Sequence, residues 1–375
     1  MIFLGLRKEN ISIALVLLLS AASFAIRSEM LIALWGGGIV LYVMFNFHKL
    51  TMSEGRADVF LWMMLTLVTF SLPYALLNSI SSAFHYFVFV MTLLASYLMR
   101  ESLFCLYQSV RFVLYFFQLG IVLFVFYHGF EGFPLDNMIP GSSSNVITSL
   151  LIVLQAAFSI LNYSVNRRFD IFPALITMLI CIIGYGRGSL IASFLIVFVN
   201  VACFVFSSKR IFFVTILAFV LGVLAAGERL NERVMVFVNS KTKIGSGLHD
   251  SSRLEMHKDY FAKMDVITAF VGVNYDGTSI ENKYNGNPHS SYIRAHHIFG
   301  ILFIFCILLS LVVLAGLNAT LPVRLYVLSL STIVLFRAAT EPVLFPTALD
   351  IFYYGFIFAL LYKPKGGEGK EARVC

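Results

Sequence analysis

The chain has 375 residues, of which 59% are hydrophobic and only 13% charged, with a mean hydropathy of +0.87. Soluble domains use roughly 45–50% apolar residues, so a soluble fold is excluded, and apolar segments of helix length exclude an outer-membrane barrel of short alternating strands. The net charge of +7 would suit nucleic acid, but its placement along the chain accounts for it through membrane orientation, and nucleic acid is not an expected partner.

In chain order, the first apolar segment, near 10–26, follows Arg7 and Lys8. Ser23-Phe24-Ala25 is a weak match to a signal-cleavage site, and a retained first helix is the expectation. Further spans are predicted near 30–47, 59–77, 80–99 and 109–128. After the Gly/Pro/Ser-rich loop 129–144 come 145–164, 171–186, 188–206 and 210–226. Residues 227–292 form one long polar segment with structure of its own. In "HDSSRLEMHKDYFAKM", Ser252-x-x-Glu255 reads as a capping box, and Leu254, His257, Phe261 and Met264 share a helical face. Arg253 and His257, four apart, point the same way. The last spans are expected near 293–317, 321–337 and 348–362, before a polar tail, 363–375. The expected fold is therefore an all-α polytopic membrane protein of about twelve helices with one large external loop. Its regions are 1–226, 227–292, 293–362 and 363–375. There is no internal repeat, which argues against an inverted-repeat transporter. Cys105, Cys181, Cys203, Cys306 and Cys375 form neither a disulfide framework nor a C-x-x-C pair.

The connections alternate in basic content. One side holds Arg7, Lys8, Lys49, Arg56, Arg100, Arg111, Arg167, Arg168, Lys209, Arg210, Arg324 and the tail's Lys363, Lys365, Lys370 and Arg373, which is 15 of the 27 Lys and Arg. Short connections on the other side carry at most one each, Arg27, Arg187 and Arg337. The positive-inside rule then places both termini in the cytoplasm.

"GYGRGS", 184–189, separates the seventh and eighth spans. Only about 16 residues, roughly 24 Å, run from Asp170 to Arg187, against a hydrocarbon core of roughly 30 Å, so Arg187 should lie at external headgroup depth. A charge there costs about 2.5 kcal/mol or more without a partner. Arg187 is either a snorkelling arginine on a tight turn or part of an anion site, and Gly184, Gly186 and Gly188 leave room for close approach to the backbone. Arg253 is a solvated helix arginine unless context says otherwise. In "NPHSSYIRAHHIFG", His289 follows a helix breaker and is either a loop histidine or an external base. His289, Tyr292 and His296 share a face. The His296–His297 pair lacks metal-ligand spacing, no D-x-D pair is present, and no metal or cofactor is expected. Arg337 and Glu341, four apart, should pair with each other.

The order of these signals resembles the O-antigen polymerase and ligase superfamily (Wzy-type). The matching positions are G-R-G at Arg187, an arginine-bearing loop helix at Arg253, a glycine at Gly272, and His289-Ser290 before a helix with Gly300. The resemblance covers roughly 140–320, with Ser290 where asparagine is commoner. It implies a GT-C-like glycosyltransferase of the bacterial inner membrane. Such an enzyme transfers a glycan from undecaprenyl diphosphate to a sugar hydroxyl of another lipid-linked repeat unit at the periplasmic face, metal-independently and with inversion. Arg187, Arg253 and Arg337 would bind the donor diphosphate, His289 would take the acceptor proton, and Tyr292, His296 and His257 would contact substrate. Membrane lipid and a chain-length regulator are the further partners. The alternatives are an O-antigen ligase, with lipid A–core as acceptor, and a polyprenyl-glycan flippase or transporter.

Overall fold

The structure, a computed structural model, describes residues 8–50, 55–78, 80–129, 134–140, 142–206 and 251–362. Among the described residues all regular structure is helical. The helices are α1 (Lys8–Ile26), α2 (Glu29–Asn46), α3 (Arg56–Asn78), α4 (Ile80–Leu98), α5 (Leu103–His128), α6 (Ser144–Asn166), α7 (Ile171–Ile183) and α8 (Arg187–Phe206). They are followed by α9 (Ser251–Ala262), α10 (Val266–Val271), α11 (Ser279–Tyr284), α12 (Ser291–Phe299), α13 (Leu302–Ala315), α14 (Leu321–Thr340) and α15 (Asp350–Leu361). Seven of them, α2 to α6, α8 and α14, are long and apolar enough to cross a membrane, and α1, α7, α13 and α15 supply shorter apolar helices. This is a helical membrane protein. The expected span 210–226, the start of the long segment up to 250, and the tail from 363 lie outside the described residues.

The bundle forms around α6, which is buried along nearly its whole length. Around it stand α1, α5, α7, α8, α14 and α15. Outward-facing side chains are also apolar: Phe45, Phe70 and Phe126 are all strongly exposed, as a lipid-facing surface requires. Lipid supplies no hydrophobic force between helices, so buried hydrogen bonds help to specify the packing. Gln118 on α5 donates to Thr177 Oγ1 on α7 at 2.9 Å; Thr177 donates to Gln155 Oε1 on α6 at 3.2 Å; and Gln155 donates to Ser159 at 3.0 Å.

The two ends of the bundle differ. At one end Arg56 donates to Gly316 O at 2.9 Å, at the C-terminus of α13. At that end too, Arg100 is fully buried over the Tyr97 ring, 3.8 Å from Asp58, to which the Tyr97 hydroxyl donates. Arg100 is thus a packed ion pair rather than a loop cation. The opposite end carries the turns at 27–28 and 184–186, the segment α9–α12 and the buried stretch 341–349.

One predicted span is broken. The run 293–317 divides into α12 and α13 at Gly300, which has φ +63. Ile301 N donates to Phe270 O at 3.1 Å, so the end of α10 docks into the break. A Cβ at Gly300 would collide with the Phe270 carbonyl, and one at Gly272 (φ +95) with the His296 carbonyl. Two backbones cross here with no room for a side chain. Gly300→Ala combines backbone strain with a backbone clash and should cost at least about 2 kcal/mol, seen as a lowered melting temperature in detergent.

The segment α9–α12 has a small core of Met256, Tyr260, Val273, Ile280 and Ile293. This corrects the expected face of α9, because Leu254 and Phe261 are exposed. The helix turns Met256 and Tyr260 onto α11 and α12. Phe261 and Met264 instead line an apolar cavity with Ile304 and Leu308 of α13. Glu255, expected to cap the helix, pairs with Lys283 across to α11 at 2.5 Å.

Candidate functional site

The G-R-G turn packs against α6 and α14. A Cβ at Gly184 would lie 2.6 Å from Thr148 Cγ2, one at Gly186 2.5 Å from Asn145 Oδ1, and one at Gly188 2.9 Å from Arg337 Nη1. The room left by the glycines is therefore taken up by Thr148, Asn145 and Arg337. It places the first turn of α8, which begins at the half-buried Arg187, against the Arg337 guanidinium. Arg337 is almost completely buried. Its Nε donates to Ser149 Oγ at 2.9 Å and its Nη1 to Thr340 Oγ1 at 2.8 Å.

One turn further, Glu341 collects groups that are far apart in the chain. Its Oε1 accepts from Arg253 Nη2 at 3.2 Å and lies 4.0 Å from Arg337 Nη2, while Oε2 lies 3.7 Å from His289 Nδ1. A single carboxylate is thus shared by two guanidinium groups and an imidazole. At 3.7 Å the histidine contact is longer than a hydrogen bond, and Nδ1 is buried without a hydrogen-bond partner. A buried polar atom left open beside a carboxylate marks a place where the site can tighten around something. Burial pushes the Glu341 carboxyl up, but the imidazole of His289 and the charges of Arg337 and Arg253 outweigh it and hold it below its ordinary range. A depressed carboxyl stabilises the fold above its ordinary value, here 4.5, and loses that contribution as pH falls through the lower folded value. The stability difference between the wild type and Glu341→Gln should accordingly shrink as melting is followed below about pH 4.5.

Glu341 is held by the backbone around it. Ser291, the first residue of α12, donates to Glu341 O at 2.9 Å and accepts from the amides of Val343 at 2.9 Å and Leu344 at 3.1 Å. The Asp350 carboxylate accepts from Phe345 N and Thr347 N, each at 2.9 Å. These contacts fix the non-helical stretch after α14 in a buried position, as its polar backbone requires. His289 has φ +47, and its amide donates to Asn287 Oδ1 at 3.0 Å, so it sits on a turn ahead of α12. It therefore does not share a helical face with Tyr292 and His296.

Of the residues singled out in the sequence, Arg253, His289 and Arg337 come together on Glu341, with Arg187 at the adjoining corner. Tyr292 and His296 do not join them. Tyr292 OH donates to Leu335 O at 2.8 Å, and both His296 nitrogens are engaged, with Tyr260 OH at 2.7 Å and Ala269 O at 2.8 Å. Tyr292 ties the segment to α14, and His296 ties α12 to α9 and α10 within the segment. His257 is half-buried on α9, one turn from Arg253; burial, and then Arg253, lower its pKa and favour the neutral ring. The residues that sequence reasoning missed are Glu341 as a shared partner and Ser291 as its clamp. The only signal for them was the position of an acid between Thr340 and Pro342 at a helix end.

Comparison of the chain with protein-family models, with curated proteins and with solved structures finds no match. The class defined by the fold is a helical membrane protein with a cationic cluster at one end of the bundle.

Proposed function

We propose that the protein is a glycan polymerase of the O-antigen polymerase type. It would sit in the bacterial inner membrane with its basic end cytoplasmic and the Glu341 cluster at the periplasmic face. The observation that carries the reading is the meeting of Arg253, His289 and Arg337 on Glu341, from three separate parts of the chain. A lipid holds its diphosphate at headgroup depth, and arginine, always ionised and able to bind two oxygens, suits such a leaving group. In the transfer, the acceptor hydroxyl oxygen attacks the anomeric carbon and the bond to the diphosphate oxygen breaks, its electron pair leaving with the diphosphate. Attack from the opposite face inverts the anomeric centre. His289 Nε2 takes the acceptor proton, while Glu341 beside Nδ1 orients the ring and stabilises the imidazolium. Arg187 and Arg253 hold the diphosphate, Arg253 exchanging Glu341 for phosphate oxygens, while Arg337, too buried to reach the diphosphate itself, keeps the Glu341 carboxylate in place.

The test is chain extension in cells. Arg187→Ala should abolish polymer while the protein still accumulates, and wild-type polymer lengths in this variant would refute the role of Arg187. Gene deletion separates the neighbouring activities. Loss of a polymerase leaves a single repeat unit on lipid A–core, loss of a ligase leaves none there, and loss of a flippase leaves no repeat unit on the periplasmic face.

A further inference from the structure

A second cationic site lies beside the first. Between α1, α2, α4 and α12, at the end of the bundle that carries Glu341, is a cavity of about 550 Å³. Arg27, on the turn after α1, and Arg294, on α12, line it together with His85 and Trp35. Among the described residues neither guanidinium has an ion pair. The carboxylates whose fields reach them are Glu341 for Arg27 and Asp350 for Arg294. Both are already engaged, Glu341 with Arg253 and His289, and Asp350 with the amides of Phe345 and Thr347. Two arginines lining one cavity without a counter-charge are an arrangement that an anion completes.

The cavity continues into an apolar groove of about 340 Å³ between α2 and α4, and the two share Ile32, Phe84 and Val88. On α2 the groove extends from Glu29 to Val40, roughly 16 Å of helix. Gly36 and Gly37 form its floor, and a Cβ at either would meet nothing within 4 Å. A cationic cavity running into an apolar groove along membrane helices has the shape of a lipid with an anionic head. Two guanidinium groups, each able to hold two oxygens, match a diphosphate better than a singly charged phosphodiester.

We propose that this cavity and groove bind a second phosphorylated polyprenol, the acceptor of the transfer described above, with its diphosphate on Arg27 and Arg294 and its prenyl chain along α2 and α4. The identification as acceptor rests on that reading. It is supported by the cavity wall: Asn287, Pro288 and Pro342 line it, and they are the chain neighbours of His289 and Glu341.

The test is native mass spectrometry of the purified full chain with undecaprenyl diphosphate as probe. The wild type should bind two equivalents. Arg27→Asn/Arg294→Gln should lose one of them; asparagine is chosen because residue 27 has φ +54. Gly37→Leu, whose Cβ meets no neighbour within 4 Å and whose side chain projects into the groove, should weaken the same equivalent at least about tenfold. Two equivalents retained in the double variant would overturn the proposal. Displacement of that equivalent by phosphatidylglycerol or by inorganic pyrophosphate at equal concentration would overturn it too, since the site would then be one for ordinary anionic lipid or for a soluble anion. An Arg187→Ala chain that keeps both lipids, while the double variant loses one, would sink the donor assignment and leave this site standing.

Discussion

Glu341→Gln should be the most destabilising single change at the site, and it should abolish polymer formation as well. Removing one partner of a buried ion pair costs about 3–5 kcal/mol, because the other charge remains buried without compensation. Arg337 is that other charge: it is almost fully buried, and its remaining partners are the neutral oxygens of Ser149, Thr340 and Asn145. Glutamine keeps the shape of the side chain and its acceptor oxygen, so what is lost is the charge. The loss also releases Arg253 and with it α9, whose tie to the bundle through Glu341 is a charge-assisted bond at 3.2 Å. Thermal melting in detergent measures the first effect. Hydrogen exchange of the α9 amides, faster in the variant than in the wild type, measures the second. A variant that melts within about 1 kcal/mol of the wild type would mean that Arg337 finds its counter-charge elsewhere.

His289→Ala should separate chemistry from folding. The His289 side chain is about one-third exposed, lies outside both hydrophobic cores, and donates no side-chain hydrogen bond, so its removal should cost far less stability than Glu341→Gln and leave the protein folded. A positioned general base contributes about 10²–10⁴ in rate, and a loss of that size brings chain extension below detection in cells while protein levels hold. Quantifying the lipid-linked repeat unit together with the membrane-bound protein checks both halves. A variant that loses polymer only because it fails to accumulate would assign His289 to the fold.

The helices and the site were not equally legible in the sequence. Apolar run length locates the spans, because a lipid-facing helix must be apolar for its whole length. It cannot show the break at Gly300, since the stretch from Ile298 to Leu309 runs through that glycine without a polar residue. What divides it is the Phe270 carbonyl arriving from another helix. The face of α9 failed for a related reason. Leu254 and Phe261 fit a helical period as well as Met256 and Tyr260 do, and only the position of α11 and α12 decides which pair is covered. Arg253, His289 and Arg337 could each be picked out as candidates from their residue type and place near a boundary. That they share one carboxylate could not, because Glu341 already had a local explanation as the i+4 partner of Arg337. Its contacts with Arg253 and His289 span 88 and 52 positions of chain, which no periodicity records.

In the proposed function, guanidinium groups and one imidazole, gathered around Glu341, move a glycan from one polyprenyl diphosphate to another. Reconstitution tests it most directly: purified protein is given lipid-diphosphate repeat units, no lipid A–core, and EDTA throughout, and the products are separated by length. A ladder of polymer from the wild type, absent with Arg187→Ala and with His289→Ala, is the predicted result. An unextended repeat unit with the wild-type protein, or an unchanged ladder with either variant, would contradict it.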